Sequence, residues 1–388
     1  MTTPAATEVA LKWVLTLRSG TSCSERTEDG AFPVMGAAGP IGRTSRANTR
    51  SGSTLIGRVG TVGAINLARE ECWASDNVIV ASPGPTLEST YTYYLLMSAR
   101  LPELASKTAQ PLLTASAVAG LRFPIPPLEE QRRIAGFLDA ETARIDALTR
   151  TYVKLRELVS ERSQRVIDSE IEQHRNLTPF RYLVRFREGP GIMAVDFHDE
   201  GIPLIRISGL QRGEVTLNGC NYLDPEKAAR QWSQFRLKLG DRLISGSATM
   251  GGVSVVKDPS VVGAIPYTGL IILRPARQDV EMKYVEAFLR SSLFSRQIDV
   301  LKTGATMQHF GPTHLSQIQA PMPSHHEQLR IVGNVQAALA HADRCDDLVD
   351  RQLALLTERR QSLIAAAVTG QFDVSTAGGR NVTDGVSA

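Results

Sequence analysis

The chain is short of cysteine, of net charge and of long apolar runs, and its composition is otherwise ordinary for a soluble protein. Its four cysteines, Cys23, Cys72, Cys220 and Cys345, are too scattered for a disulfide framework or a zinc knuckle. A reducing cytoplasm is the expected home. No apolar run is long enough to span a bilayer, and the polar, Thr-rich start lacks the basic and apolar regions of a secretion signal, so no membrane partner is expected. The 43 Lys and Arg nearly balance the 40 Asp and Glu, leaving a net charge of +3. That mild excess is compatible with a nucleic-acid partner without being evidence for one. At 388 residues, length alone suggests two or three domains.

What is present is a long internal repeat. Shifted by 197 residues, the segment from Pro124 to Ile167 falls on Pro321 to Ile364 with 15 identities in 44 positions and no gap. The identities include Gln131/Gln328, Arg133/Arg330, Ile134/Ile331, Gly136/Gly333 and Arg162/Arg359. A repeat this long and this far apart means a duplicated unit, not a solenoid. In each copy prolines forbid helix at the start, and no internal proline follows for some 45 residues. A helix of that length is roughly 67 Å long at about 1.5 Å per residue. Steps alternating between four and three give a seam of Ile134, Leu138, Glu141, Ile145, Leu148, Tyr152, Leu155, Val159, Arg162 and Val166. Its counterpart reads Ile331, Val335, Ala338, Ala342, Cys345, Val349, Gln352, Leu356, Arg359 and Leu363. Both predict a coiled coil in which the two helices bury their seams against each other. On this reading Leu155 or Val159 changed to Asp would place a charge in a desolvated groove.

Before each helix lies an α+β globular segment. In the first, residues 32–52 are Gly- and Arg-rich and read as turns and loops. T-L-I-G-R-V-G-T-V-G-A-I follows as two short strands about a glycine turn, N-V-I-V as a third, and a helix is expected from Tyr91 to Arg100. The second segment repeats the plan: Leu243-Ile244 stands for Leu55-Ile56, L-I-I-L for N-V-I-V, and a helix from Met282 to Arg296 for the earlier one. The expected organisation is a globular domain over 1–123, a long helix over 124–175, a second domain over 176–320 and a second helix over 321–368. A tail over 369–388 completes the chain, disordered after about 374. The fold class is thus α+β, two globular domains joined by two long helices in an antiparallel coiled coil, with an internal pseudo-two-fold repeat.

Several motifs are decoys. Gly36, Gly39 and Gly42 give G-x-x-G-x-x-G, but without the strand and long helix of a nucleotide loop. No G-x-x-x-x-G-K-[ST] loop occurs, so ATP use by this chain is not expected. N-L-T-P-F from Asn176 lacks the second proline of an adenine-methyltransferase motif and reads as a linker. Asp224-Pro225-Glu226-Lys227 has a weak likeness to a nuclease arrangement but suits a helix start. His309, His314, His325 and His326 lack metal-ligand spacing. No catalytic residue, metal site or cofactor is assigned.

The P-x-P-(x)-E-E-Q-x-x-I helix, its second copy, the ending A-A-A-V-T-G-Q-F-D-V and G-D-x-L-I-S-x-x-x-T-x-G in the second half together resemble the specificity (S) subunit of type I restriction–modification systems. The resemblance runs from about residue 8 to residue 374. It implies two target-recognition domains, each reading one half of a split, asymmetric site in double-stranded DNA, with the helices as a ruler between the halves. It also implies two methyltransferase (M) subunits docked on the long helices and, in a restricting complex, motor–nuclease (R) subunits. S-adenosylmethionine and ATP with Mg would then be bound by those partners. The second helix begins S-H-H-E-Q where the first begins P-L-E-E-Q, a departure that puts equal docking at the two ends in question.

A half-site reader needs cations for phosphates and forked donors for base edges. In the first domain Arg43, Thr44, Ser45, Arg46, Asn48, Arg50, Arg58 and Thr61 qualify, with no acidic residue from Arg43 to Arg69. In the second, Arg206, Ser208, Gln211 and Arg212 share one loop, Ser245, Ser247 and Thr249 a second, and Lys302, Thr303, Gln308 and His309 a third. Lys107 and Lys302, in matched positions, suit phosphates. Two rival readings are a stand-alone nuclease using the Asp224–Lys227 region and a coiled-coil adaptor with idle basic loops.

Overall fold

The computed structural model describes residues 8–106, 111–211, 213–246, 252–302, 310–371 and 374. The chain divides into two compact units, residues 1–153 with 350–388, and residues 154–349. Both boundaries fall inside the long helices, Leu128–Glu172 and His325–Val368. Each unit is therefore a globular part plus the adjoining stretches of both helices, whereas the sequence reading sets the helices apart as segments of their own.

In the first unit the strands are β1 (Glu8–Ala10), β2 (Leu15–Ser19), β3 (Phe32–Gly36), β4 (Gly39–Thr44), β5 (Thr54–Gly57), β6 (Ile65–Leu67), β7 (Trp73–Ala74), β8 (Val78–Pro83) and β9 (Arg122–Pro124). The main sheet has the order β2-β8-β5-β6, and a smaller one the order β4-β3-β7. In the second unit they are β10 (Leu177–Pro179), β11 (Val184–Glu188), β12 (Ile202–Ile205), β13 (Leu210–Gln211), β14 (Glu214–Val215), β15 (Asn221–Leu223), β16 (Arg242–Ser245), β17 (Val253–Val255), β18 (Ile265–Pro266), β19 (Leu270–Pro275) and β20 (Gln319–Pro321). Its main sheet runs β11-β19-β16-β17-β14-β13 and its smaller one β15-β12-β18. Strand for strand the first four members of the main sheets correspond, as do the small sheets, each with one parallel pair, β3 with β7 and β12 with β18. The central strands carry the apolar, largely β-branched runs V-I-V-A and L-I-I-L, which are buried throughout.

The ends of each globular segment are tied by a two-strand pair, β1 with β9 and β10 with β20. The N-L-T-P-F stretch is thus not a linker: its Leu177–Pro179 is the strand that closes the second segment. Residues 32–52 likewise hold a hairpin where turns and loops are expected. Val34 is fully buried, and Gly39, at φ +133°, makes the reversal between β3 and β4. Such a strand pair needs few apolar anchors, so its glycines hide it from a hydrophobicity reading. The first expected helix is Ser89–Met97, and the second divides into Met282–Arg290 and Ser292–Lys302. The break is at Ser291, whose backbone is extended, and Asp168 of the first long helix accepts from Ser292 N and Oγ at 2.7 Å each. The new helix start is capped from outside its own segment.

Within each unit the long helices run antiparallel. In the first, Ile134, Ala135 and Leu138 share a core with Leu363, Ile364, Ala367 and Val368, and Arg360 donates to Asp146 at 2.5 Å. In the second, Ile167 and Ile171 meet Ile331, Val332 and Val335, while Glu170 accepts from Arg330 at 3.1 Å and Asn334 at 2.7 Å. Numbers rise on one helix as they fall on the other. The expected seam holds on the first helix as far as Ile145 and then slips. Leu148, Leu155 and Arg162 are exposed, and Ser163 and Ile167 are buried in place of Arg162 and Val166. An unstrained helix drifts about 20° per heptad from a 3.5-residue repeat. On the second helix only Arg359 leaves the seam; the half-buried arginines are Arg156 and Arg360, paired with Asp346 at 3.5 Å and Asp146 at 2.5 Å.

One interaction recurs where each helix leaves its globular part. The buried Gln131 amide accepts from Glu88 N at 2.8 Å and donates to Thr86 O at 2.9 Å and Pro126 O at 2.7 Å. The buried Gln328 accepts from Glu281 N at 2.7 Å and donates to Asp279 O at 3.1 Å and Pro323 O at 3.0 Å. The two clamps match group for group. The helix starts differ: Ser324 N and Oγ donate to the Glu327 carboxylate at 2.9 and 2.7 Å, a capping box that Pro127 precludes in the first copy.

Two outcomes follow for stability. Gln131→Ala strands the half-buried Glu88 N–H and should cost about 1–3 kcal/mol in urea unfolding, against almost nothing for the exposed Arg132→Ala. Leu138→Asp, at 0% exposure, should cost several kcal/mol, whereas Leu155→Asp, at 43%, should stay within about 0.5 kcal/mol. That second outcome reverses the expectation drawn from the heptad.

Candidate nucleic-acid interface

In the second unit one cleft holds two residues singled out by sequence, Arg206 and Ser208, beside the neighbours of two other candidate loops. Arg206, Ile207 and Ser208 line it from the loop after β12, Gly246 from the end of β16, and Phe310 from the segment leading to the second long helix. Glu188, Tyr267, Thr268 and Gly269 complete the walls of a cavity of about 650 Å³. Phe310 N donates to Gly246 O at 3.0 Å, and a Cβ on Gly246 would lie 2.2 Å from Phe310 O, so only glycine permits this approach.

Arg206 is held on three sides. Its guanidinium lies 4.9 Å from the Tyr267 ring centroid and 5.9 Å from that of Phe197, and Nη1 donates to Asn221 Oδ1 at 3.0 Å. Stacking and one hydrogen bond orient the plane and leave further N–H donors for a ligand. Glu188 spends one carboxylate oxygen on Gly269 N at 3.0 Å. The cleft thus presents a fixed cation, a carboxylate and hydroxyls, the donors and acceptors that base edges require. Ser208 donates to Asn218 O at 3.2 Å, and Gln211 to Ser208 O at 3.0 Å, so both also shape their own loop. Ser245 is buried on β16. Arg212, Ser247, Thr249, Thr303, Gln308 and His309 lie outside the described residues, as does Lys107. Lys302 ends a helix, and its side chain is not among those described.

The first unit repeats the clasp: Leu113 N donates to Arg58 O at 3.1 Å, and Leu113 stands 197 residues before Phe310. Arg58 is half-buried and Thr61 exposed on the turn between β5 and β6, and Ala37 of the β3–β4 turn lies against Gly57. Arg43 and its neighbours sit at the other end of β4, about 17 Å away at about 3.3 Å per residue. The structure therefore does not gather all the first-domain candidates.

Two of these candidates do internal work instead. Thr44 is 2% exposed and is no surface donor. Asn48 donates to Ala74 O at 3.1 Å and Thr21 Oγ1 at 3.0 Å, and its Oδ1 accepts from Ala74 N at 2.7 Å and Thr49 Oγ1 at 2.8 Å. Its amide is consumed in pinning a loop to β7, so it is corrected from base reader to fold clasp. Arg43 donates to Gly30 O at 2.6 Å and Ala31 O at 2.9 Å, with its side chain at the surface. Ser45, Arg46 and Arg50 are exposed, and neither arginine has a hydrogen-bond or ion-pair partner among the described residues.

Sequence reasoning missed Glu188, Phe197 and Tyr267. The I-P-Y-T-G turn around Tyr267 was the available signal for one of them. The nuclease-like D-P-E-K is otherwise engaged: Asp224 caps a helix by accepting from Lys227 N at 2.7 Å, and the Lys227 ammonium pairs with Asp196. Among the described residues no group of three His, Cys, Asp or Glu is placed to hold a metal. Burial, then the Glu70 carboxylate, push the Cys72 thiol up to about 11, which keeps it protonated and inert at neutral pH.

Residues 7–156 match the family described as type I restriction modification DNA specificity domain. The EcoKI specificity subunit of Escherichia coli strain K12 is 25% identical over 65% of this chain, and the EcoBI specificity subunit of Escherichia coli 22% identical over 71%. The chain spans 58% and 61% of the length of those two relatives. Two solved structures share the fold at 18% identity. A chain from a structure on complex assembly and conformational transition of the type I R-M system has a TM-score of 0.74, with 95% of this chain and 99% of that one covered. The HsdS subunit from Thermoanaerobacter tengcongensis gives 0.56, covering 95% and 98%. With the duplicated α+β units and paired long helices, the chain is thus similar over most of its length to type I restriction–modification specificity subunits, and its residues 7–156 match the DNA specificity domain.

Proposed function

We propose that this chain is the non-catalytic DNA-recognition subunit of a type I restriction–modification complex. Each globular part reads one half of a bipartite, asymmetric site in double-stranded DNA, and the complex methylates adenine at N6. The observation that carries this reading is the cleft of the second unit, where three loops distant in sequence converge around an arginine held ready by two rings. Arg46 and Arg50 on the first unit, exposed and without a partner among the described residues, suit phosphates. The chemistry belongs to partners: methyltransferase subunits that hold S-adenosylmethionine, and restriction subunits that use ATP and Mg. The exposed Leu148 and Leu355 in the first unit, and Leu158 and Leu348 in the second, give the long helices apolar surface on which methyltransferase subunits dock. No described helix is long and apolar enough to cross a membrane, which is compatible with a cytoplasmic complex. The nuclease reading has lost its residues to a helix cap and an ion pair.

Exchange of residues 176–320 for the matching segment of a relative tests the division of labour. Mapping of methylated adenines in the host genome should show one half of the recognised site changed and the other kept; a change in both halves, or in neither, would refute it. Arg50→Ala should lower affinity for all duplexes alike and reduce the salt dependence of binding by about one phosphate contact, a log–log slope change near 0.9. An unaltered slope would remove Arg50 from the interface.

A further inference from the structure

The two halves share one surface feature that neither the cleft nor the helix seam uses. Between β1 and β2 lies a single 3-10 turn, Leu11–Trp13, and between β10 and β11 the turn Phe180–Tyr182 occupies the same place. Leu11 and Phe180 are fully buried. Leu11 is in the core that holds Ile134 and Leu138 at the foot of the first long helix, and Phe180 in the core that holds Ile331 and Val335 at the foot of the second. The next two residues are a cation and an aromatic in both copies. Lys12 Nζ lies 5.1 Å from the Trp13 ring centroid and Arg181 Cζ 5.1 Å from that of Tyr182. Both rings project outward: Trp13 is 76% exposed and Tyr182 54%.

An exposed aromatic beside a cation recurs here at matched positions while the loops that meet the cleft differ between the halves. Features that differ between the halves face what differs between two half-sites; features that recur face something presented alike to both. Rings of this size beside a cation are the side chains that dominate protein–protein binding energy. Intact duplex offers such a ring no slot unless a base step is unstacked, at a cost of a few kcal/mol. The turn is also rigidly based, because its first residue is locked in the core.

We propose that Lys12–Trp13 and Arg181–Tyr182 are two equivalent docking points for two copies of one protein partner, each copy offering an apolar slot for the ring and a carboxylate for the cation. The partner is the methyltransferase subunit of the proposed function, and the inference rests on that reading. It adds a contact at each globular part, separate from the apolar surface of the long helices.

The test is to produce the full chain together with the adenine methyltransferase encoded in the same host, and to count bound copies by mass photometry. The unaltered chain should carry two. Trp13→Ala should weaken one copy at least tenfold and Tyr182→Ala the other, with the double variant losing both. Trp13→Tyr and Tyr182→Trp should keep two. Urea midpoints and the duplex affinity of the chain alone should not move, since both rings are largely solvent-exposed. Two copies held at unchanged affinity by the double variant would overturn the proposal and leave the proposed function standing. If the unaltered chain binds no methyltransferase, both fall. Loss of duplex affinity, or of self-association, in place of partner binding would assign the rings to DNA or to a second copy of this chain and equally overturn the proposal.

Discussion

A single buried amide, used twice, sets the architecture. Gln131 and Gln328 each satisfy one backbone N–H and two carbonyls at the point where chain leaves a globular part and becomes helix. Without that clamp the approach to the helix would carry unsatisfied polar groups in a buried place, which folded proteins avoid. With it, the direction of a 45-residue or a 44-residue helix is tied to the strand pair that closes its own segment. The same geometry recurs at both feet, although the loops of the two globular parts differ in sequence.

Much of this organisation was legible in the residues. The repeat announced two units, and its Gln, Arg and Gly identities fell on the helix feet. The runs N-V-I-V and L-I-I-L marked central strands, since burial on both faces leaves no alternation to confuse the reading. The family resemblance rested on the same residues, and the comparisons agree with it.

What was not legible has a physical reason in each case. A strict heptad was laid on a first helix that keeps nearer its natural pitch, so Leu148 and Leu155 were placed inside and lie outside. Asn48 has the side chain of an adenine reader, and composition cannot tell a free amide from one with four internal bonds. The cleft of the second unit needed Glu188 and Tyr267, which come from two different strands' ends and share no motif. The rings of Trp13 and Tyr182 belong to no motif and drew no sequence reading. Their equivalence emerges once the strands on either side are superposed in order.

The capping box on the second helix gives the two feet different responses to acid. Hydrogen bonds from Ser324, first its hydroxyl and then its amide, hold the Glu327 carboxylate below the usual range. A depressed acid adds stability at neutral pH and loses it as falling pH carries the group through its folded value. The first helix begins at Pro127 and Leu128 with no such box, so its opening turn has no carboxylate latch to lose. Acidification to below the ordinary carboxylate range should therefore loosen the opening turn of the helix that begins at His325, through a latch its counterpart does not have.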